Sequence, residues 1–141
     1  MAGEPISARI AENGRSAYAV TIDVSGHTIE GDEPVSFGGG GTGPAPFDLL
    51  LAALGECTAM TIRWYALRQH WPVEKVEVAL THHKGSIEGR AGDKHDIFSK
   101  TIRIHGDALS AEQRARLIEV AAKCPVQRTL EGTPVIQTLH D

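Results

Sequence analysis

Two cysteines are the residues of this sequence whose chemistry most needs an explanation. Cys57 and Cys124 are the only thiols in a chain of 141 residues. Two thiols that can meet support a disulfide cycle, in which one thiolate attacks a substrate and the other resolves the oxidised sulfur. Free cysteine is also among the most buried residue types and often packs as a small hydrophobe. Composition alone favours core packing, and the positions of the two thiols decide between these interpretations.

The local surroundings of each thiol bear on whether it could react, because a reactive cysteine needs its thiolate stabilised. Arg128 lies four residues after Cys124, so a continuous helix would bring its positive charge to the same face and tune that thiol. Glu56, directly before Cys57, carries the wrong charge. A helix break at Gly55 would instead place Cys57 near a helix N-terminus, whose dipole favours a thiolate.

The helix that carries Cys57 is predicted over residues 47–69. This run contains no proline and is rich in leucine and alanine, Pro46 suits the first helical position, and Asp48 complements the positive helix end. Residues 49–62 are apolar on nearly every side, which is typical of a helix buried in a core or an interface. We expect a partner subunit to cover part of this helix, because a chain this short can bury little on its own.

A second helix is predicted to present Cys124 to the same core. Ser110 and Gln113 form a capping box, in which each side chain satisfies the other residue's backbone N–H. Pro125 then interrupts the helix. Between these points runs one apolar stripe, made of Leu117, Val120, Ala121 and Cys124.

Alternating apolar residues predict strands on both sides of the first helix. Three antiparallel strands are expected at 6–10, 18–24 and 27–30, with hairpin turns at Asn13-Gly14 and Ser25-Gly26. Further strands are expected at 76–80, 100–105 and 135–139. The order βββ-α-ββ-α-β predicts one α+β domain over residues 1–141, with helices packed on antiparallel sheet.

Composition and charge exclude several classes of protein. A net charge of −4 argues against a dedicated nucleic-acid binder. No run of 18 apolar residues could span a membrane, and residues 1–15 resemble no secretory signal. We therefore expect a cytoplasmic protein with no nucleic-acid or membrane partner and no cofactor. The charges from Lys94 to Lys100 are interpreted as a solvated face.

Two other features of the sequence, a group of histidines and a glycine-rich run, favour ordinary structural roles. The chain has seven histidines, and His82, His83, His95 and His105 fall near two strands. Adjacent histidines on a strand point to opposite faces, and no HxxxH or CxxC spacing occurs, so no metal site is expected. The glycines at 38–41 lack the Lys-Ser/Thr of a phosphate loop, and a mobile loop over a site is expected there instead.

Two segments resemble the OsmC/Ohr family of thiol-dependent peroxidases. They are GPAPFDLLLAALGECTAMTIRWYA, which contains Cys57, and CPVQRTLEGTPVIQT, which begins at Cys124. The resemblance extends from the N-terminal strands to Leu139 and is closest to the OsmC-like branch. It implies an α+β fold that forms an intertwined homodimer, with antiparallel sheet wrapped around a long buried helix that bears the cysteine.

The resemblance also implies a chemistry, the reduction of organic hydroperoxides. Cys57 matches the cysteine that attacks the peroxide and becomes a sulfenic acid. Cys124 matches the cysteine that condenses with it to a disulfide, which a lipoyl-type or thioredoxin-like dithiol then reduces. In relatives an arginine from the N-terminal β-region pairs with a glutamate to activate the thiolate. Arg15 is the best match to that arginine, with Arg9 as the second candidate.

One position departs from the family pattern. Where the best-known peroxidases carry the glutamate, this chain has Phe47, and Asp48 is the nearest acid. One residue along a helix turns a side chain by about 100°, so Asp48 would approach the arginine differently. Phe47 and Met60 are the expected substrate-pocket residues. The alternative function is a non-catalytic, dimeric, stress-related or small-molecule-binding protein with structural cysteines.

Overall fold

The computed structural model describes residues 3–92 and 94–141. Its elements are β1 (Ala8–Glu12), β2 (Val20–Val24), β3 (His27–Gly31), a 3₁₀ turn (Val35–Phe37), α1 (Pro46–Gln69), β4 (Lys75–Gly85), β5 (His95–His105), α2 (Ala111–Ala121) and α3 (Pro125–Glu131). They confirm the predicted mixed α+β class with antiparallel sheets. The chain divides into two compact units at Leu50 and Leu51, within α1. A single domain over residues 1–141 therefore stays a prediction.

The first unit is built on a three-stranded antiparallel sheet in the order β1-β2-β3. Val24 pairs with His27, so Ser25 and Gly26 alone connect β2 to β3. Both residues have positive φ, 49° and 79°. This is what a two-residue type I′ hairpin requires, and it confirms the second predicted turn.

The first predicted turn is wrong in its length. Glu12 pairs with Val20, which leaves seven residues, 13–19, between β1 and β2. Gly14 has positive φ, whereas Asn13 is not among the residues that do. The Asn13 amide instead donates to Thr21 Oγ1 at 3.2 Å and to Glu30 Oε2 at 3.0 Å. These hydrogen bonds hold the Asn13 side chain against β2 and β3, and the connection to β2 continues to residue 19 instead of closing as a two-residue turn.

The glycine-rich loop after β3 is organised by the buried carboxylate of Asp32. Its oxygens accept hydrogen bonds from the Ser16 hydroxyl, the Glu33 and Gly40 amides, and both the amide and the hydroxyl of Thr42, at 2.8–3.2 Å. Burial opposes the charge, but these hydrogen bonds outweigh it and hold the pKa of Asp32 well below its usual range. A Cβ at Gly39 would collide with the Glu33 carbonyl, so only glycine fits there.

The second unit contains a long hairpin of two eleven-residue strands, β4 and β5. Both strands are longer than predicted, because the ladder continues through residues 81–85 of β4 and 95–99 of β5. The apolar core of this unit is formed by α1, α2 and the hairpin together with their connecting segments, through Ile62, Ala66, Val73, Ile104, Leu109, Leu117 and Ala121.

Helix α1 is continuous over 24 residues, which confirms the helix predicted over residues 47–69 and excludes the alternative of a break at Gly55. A Cβ on Gly55 would lie only 2.6 Å from Leu80 Cδ1, and the glycine therefore allows close packing of α1 on β4. One face of α1 is buried at Leu54, Thr58, Ile62 and Ala66. The helix leaves Met60, Trp64 and Leu67 exposed.

The C-terminal part of the chain differs from prediction in two places. Helix α2 begins at the predicted capping box but ends at Ala121, and Pro125 starts a third helix rather than only ending the second. Cys124 therefore precedes α3 and is not on the stripe of α2. Within residues 94–141, no strand follows α3, and Val135, Ile136 and Leu139 are more than 80% exposed. Among all described residues, no helix is long and apolar enough to cross a membrane.

We expect Asp32→Asn to lower the free energy of unfolding more than Asp23→Asn, because an amide NH₂ cannot accept the bonds that close the loop. Asp23 is a matched control, an exposed carboxylate with a hydrogen bond to Thr28. Thermal unfolding of both variants at neutral pH checks this expectation.

The pH dependence of the same comparison has a defined sign. Folding lowers the pKa of Asp32, so its stabilising effect is present above the unfolded-state pKa of about 3.9 and is lost as the pH falls toward the folded-state value. The difference between wild type and Asp32→Asn should shrink in that acidic range. Equal effects of the two variants would contradict the assignment.

Candidate functional site

Cys57 lies near the middle of α1, and its half-buried sulfur faces the start of α3. The backbone N–H of Val126 donates to Cys57 Sγ at 3.5 Å, and the Thr61 side chain also hydrogen bonds to the thiol. Donors aimed at a sulfur favour its thiolate. A break in α1 at Gly55 was one possible source of such donors, and the backbone N–H from the start of α3 takes that place instead.

The Cys124-Pro125-Val126 segment explains this geometry. Cys124 is the N-cap of α3 with extended backbone angles, φ −65° and ψ 144°, and Pro125 occupies the first helical position. Proline has no N–H and is well suited to that position. The first backbone N–H after Cys124 therefore belongs to Val126, and it points at Cys57. Cys124 itself is fully buried, and both thiols are free.

The two thiols influence one another electrostatically. Burial raises the pKa of the Cys57 thiol, and the adjacent Cys124 thiol raises it further, while the hydrogen bonds from Val126 and Thr61 act in the opposite direction. The structure therefore brings together the two cysteines that the sequence analysis selected. Within this unit the balance of forces favours the protonated form of Cys57.

Lys100 also belongs to this cluster, contrary to its predicted place on a solvated face. Its ammonium group donates to Thr58 Oγ1 at 3.0 Å, to the Ala121 carbonyl at 3.1 Å and to Gln127 Oε1 at 2.6 Å. The Thr58 hydroxyl lies 3.6 Å from Cys124 Sγ. A sequence signal existed, because Lys100 has the same strand parity as the inward-facing Ile102 and Ile104.

The other predicted residues of the second unit lie at its surface. Arg128 is an exposed residue of α3, and its backbone N–H donates to the Cys124 carbonyl at 3.1 Å. Met60 is 57% exposed and lines an open groove of about 490 Å³ with Trp64 and Leu67. The roles of Arg128 in tuning Cys124 and of Met60 in a substrate pocket stay predictions.

The predicted site residues Arg15, Phe47 and Asp48 belong to the first unit. Arg15 forms an ion pair with Glu30 at 3.4 Å. Asp48 accepts a hydrogen bond from the Ala45 amide at 2.9 Å, which caps the start of α1. Phe47 is about half exposed. The predicted action of Arg15 and Asp48 on Cys57 stays a prediction.

Two of the strand histidines contact carboxylates. His82 Nε2 lies 2.9 Å from Asp96 Oδ1, and His105 Nε2 lies 2.6 Å from Glu77 Oε2. Hydrogen bonding to these histidines lowers the pKa of each carboxyl. Across residues 3–92 and 94–141, no group of three or more His, Cys, Asp or Glu side chains is arranged to hold a metal ion.

In this small α+β chain, the fully buried thiol of Cys124 lies beside the half-buried thiol of Cys57. Comparison with known protein families identifies the family of this chain. The model of the OsmC-like protein family matches residues 38–138, and the chain belongs to that family. No protein with a curated functional description matches the sequence.

Solved structures share the fold over almost the whole chain. An OsmC-like protein from Mycoplasma pneumoniae has 21% identity and a TM-score of 0.72, and the match covers 92% of this chain and 89% of that one. The organic hydroperoxide resistance protein OsmC from Legionella pneumophila has 18% identity and a TM-score of 0.68, with 94% and 93% covered. An organic hydroperoxide resistance protein from Elizabethkingia anophelis has 20% identity and a TM-score of 0.68, with 94% and 92% covered.

We expect iodoacetamide to label Cys57 at least roughly tenfold faster than Cys124 in the folded protein, because a buried thiol reacts only after local opening. The Cys57 rate should keep rising with pH beyond 9.0, the ordinary value above which its pKa is raised. Peptide mass spectrometry after timed quenching measures both rates. A Cys57→Ser protein, as the control, should show only slow labelling, and equal rates for the two thiols in wild type would contradict the assignment.

Proposed function

We propose that this chain is a thiol-dependent peroxidase that reduces organic hydroperoxides. The observation that carries the proposal is the pairing of a half-buried Cys57 with a fully buried Cys124 thiol beside it. The difference in exposure also supports the order of the two residues. A substrate that arrives from solvent reaches Cys57 first, and the buried Cys124 lies beside Cys57 Sγ, where it can react with the oxidised sulfur.

The reaction consists of three balanced steps. The Cys57 thiolate attacks the terminal oxygen of the hydroperoxide, an S–O bond forms as the O–O bond breaks, and the sulfur becomes a sulfenic acid. The alkoxide leaves as the alcohol after it takes up the proton that the Cys57 thiol released. The Cys124 sulfur then attacks Cys57 Sγ, the S–O bond breaks, and water leaves as the disulfide forms. A lipoyl-type or thioredoxin-like dithiol reduces this disulfide by thiol–disulfide exchange and returns both thiols.

The first step needs stabilisation of the Cys57 thiolate, because burial and the neighbouring Cys124 thiol raise the pKa of Cys57. The proposal assigns this task to Arg15, oriented by Asp48. A guanidinium has five N–H donors, more than its ion pair with Glu30 uses. The exposed side chains of Phe47 and Met60 are assigned to the organic group of the hydroperoxide.

We also propose that the working form is a homodimer. The exposed side chains of Met60, Trp64 and Leu67 recur at helical spacing on α1, the helix that carries Cys57. The C-terminal residues Val135, Ile136 and Leu139 are exposed as well. A second copy of the chain would cover these exposed apolar side chains, since large apolar patches on a protein surface often mark interaction sites.

We expect titration with an alkyl hydroperoxide to remove both free thiols of each chain and to form one intramolecular disulfide. Thiol counting with non-reducing peptide mass spectrometry measures this product. Cys57→Ser should consume no peroxide, whereas Cys124→Ser should react once and stop at a sulfenic acid that dimedone traps. If wild type retains both thiols after this treatment, the peroxidase proposal is wrong.

The second candidate function is a non-catalytic binding protein with packed cysteines. The apolar groove beside Met60, Trp64 and Leu67 favours it, since small-molecule sites are concave and largely apolar. On this hypothesis Cys57→Ala changes the free energy of unfolding and leaves the rate of peroxide loss unchanged from wild type. The two functions therefore predict opposite effects of replacing Cys57 on the rate of peroxide loss.

We expect Trp64→Glu to shift the protein from dimer to monomer, because a carboxylate would replace an indole at the proposed interface. Multi-angle light scattering after gel filtration measures the mass. Gln69→Glu, which adds the same charge at another exposed position of α1, is the matched control and should remain dimeric. A monomeric wild type at micromolar concentration would overturn the proposed assembly.

A further inference from the structure

Lys100 is a charged residue at an inward position of β5. Ile102 and Ile104 follow it with the same parity, and Ile104 belongs to the apolar core. Residues at i, i+2 and i+4 of a strand line one face, so an aliphatic side chain would be expected at this position. Lysine is rarely buried without partners, and the bonds that it forms here indicate its purpose.

The ammonium group of Lys100 connects three helices. It donates to Thr58 on α1, to the carbonyl of Ala121 at the end of α2, and to the side chain of Gln127 on α3. The three acceptors are neutral oxygens, so these bonds satisfy the donors of the ammonium group without neutralising its charge. The charge therefore remains available to any anion that forms nearby.

The Thr58 hydroxyl carries the influence of Lys100 to Cys124. Thr58 is fully buried and lies between the ammonium group and Cys124 Sγ, at 3.0 Å and 3.6 Å respectively. Its hydrogen is directed to the Leu54 carbonyl at 2.8 Å. A hydroxyl has one hydrogen that rotates to suit its partners, so it can turn from Leu54 to the sulfur when the sulfur becomes an anion.

We propose that Lys100, acting through the Thr58 hydroxyl, is a positioning residue that stabilises the Cys124 thiolate in the resolving step. The inference rests on the proposed peroxidase function and deepens it. In that step Cys124 loses its proton to the leaving oxygen of the Cys57 sulfenic acid, the S–S bond forms, the S–O bond breaks, and water departs. Lys100 and Thr58 exchange no atoms in the reaction, and their contribution is electrostatic.

The titratable groups around Cys124 come from several elements. Cys57 faces it from α1, and Lys100 reaches it from β5 through Thr58. Lys123, in the turn before it, and Arg128, on α3, are both exposed. The field of an exposed cation is weakened by water, so the half-buried Lys100 is the cation whose removal Cys124 should sense most.

The first experiment isolates Cys124 in a Cys57→Ser protein and follows the ultraviolet absorbance of its thiolate against pH. We expect Lys100→Met and Thr58→Val each to move the titration midpoint upward by about one pH unit. Thr58→Ser keeps a hydroxyl and should keep the titration midpoint at its wild-type value. Lys84→Met should also leave the midpoint unchanged, because Lys84 is an exposed residue of the neighbouring strand. An unmoved midpoint in both Lys100→Met and Thr58→Val overturns the proposal. This titration involves no peroxide, so it gives a result even if the peroxidase function fails.

The second experiment measures the conversion of the Cys57 sulfenic acid to the disulfide in wild type and in Lys100→Met. A tenfold smaller thiolate fraction is partly offset by the greater nucleophilicity of a more basic thiolate, so the rate should fall by about threefold at neutral pH. The difference should disappear at a pH above both titration midpoints. The first step, consumption of one equivalent of hydroperoxide by Cys57, should remain unchanged.

A purely structural role for Lys100 predicts a different pattern. If the ammonium group only clamps α2 and α3 together, Lys100→Met slows disulfide formation by the same factor at every pH, and that result would overturn the inference. Thr58→Val tests it independently, because this variant leaves the Lys100 bonds to Ala121 and Gln127 in place. A wild type that consumes no hydroperoxide would refute the proposed function, while the Cys57→Ser titration would still decide the role of Lys100.

Discussion

The approach of the start of α3 to the middle of α1 is the constraint on which this site depends. The N–H of Val126 meets Cys57 Sγ, and Cys124, two residues earlier, lies beside the same sulfur. Pro125, at the first position of α3, has no N–H, so the first backbone N–H after Cys124 is that of Val126. The start of α3 therefore places both a hydrogen-bond donor and a second thiol beside Cys57. The sequence Cys-Pro-Val therefore has a physical meaning that goes beyond its use as a family signature.

The surroundings of Cys57 pull its chemistry in two directions. Burial and the second thiol oppose ionisation, whereas hydrogen bonds to the sulfur favour it. Burial protects the two thiols from solvent, whereas reactivity requires that one of them ionise, and both effects act on the same sulfur atoms. Lys100 and Thr58 lie on the side of Cys124, whereas the Val126 N–H donates to Cys57. Each sulfur therefore has its own group that can stabilise a thiolate.

Apolar surface is distributed unevenly in the chain. The core around Leu117 and Ile62 is fully closed, but exposed apolar residues remain on α1 and beyond α3. A helix that is apolar on nearly every side needs cover all round, and a chain of 141 residues packs only one of its faces. This exposed apolar surface is the basis of the homodimer proposed above.

The sequence by itself determined the features that depend on a few neighbouring residues. These include the Ser110 capping box, Pro46 at the start of α1, the Ser25-Gly26 turn, the α+β class and the choice of the two cysteines. Tertiary structure decided the length of the connection at Asn13-Gly14, the continuity of α1 through Gly55, the separate helix after Cys124, the half-buried place of Lys100, and the absence of a strand after α3 within residues 94–141. Each of these depends on partners distant in the sequence, because packing against Leu80 or hydrogen bonding to Thr58 outweighs what the local pattern of residues favours.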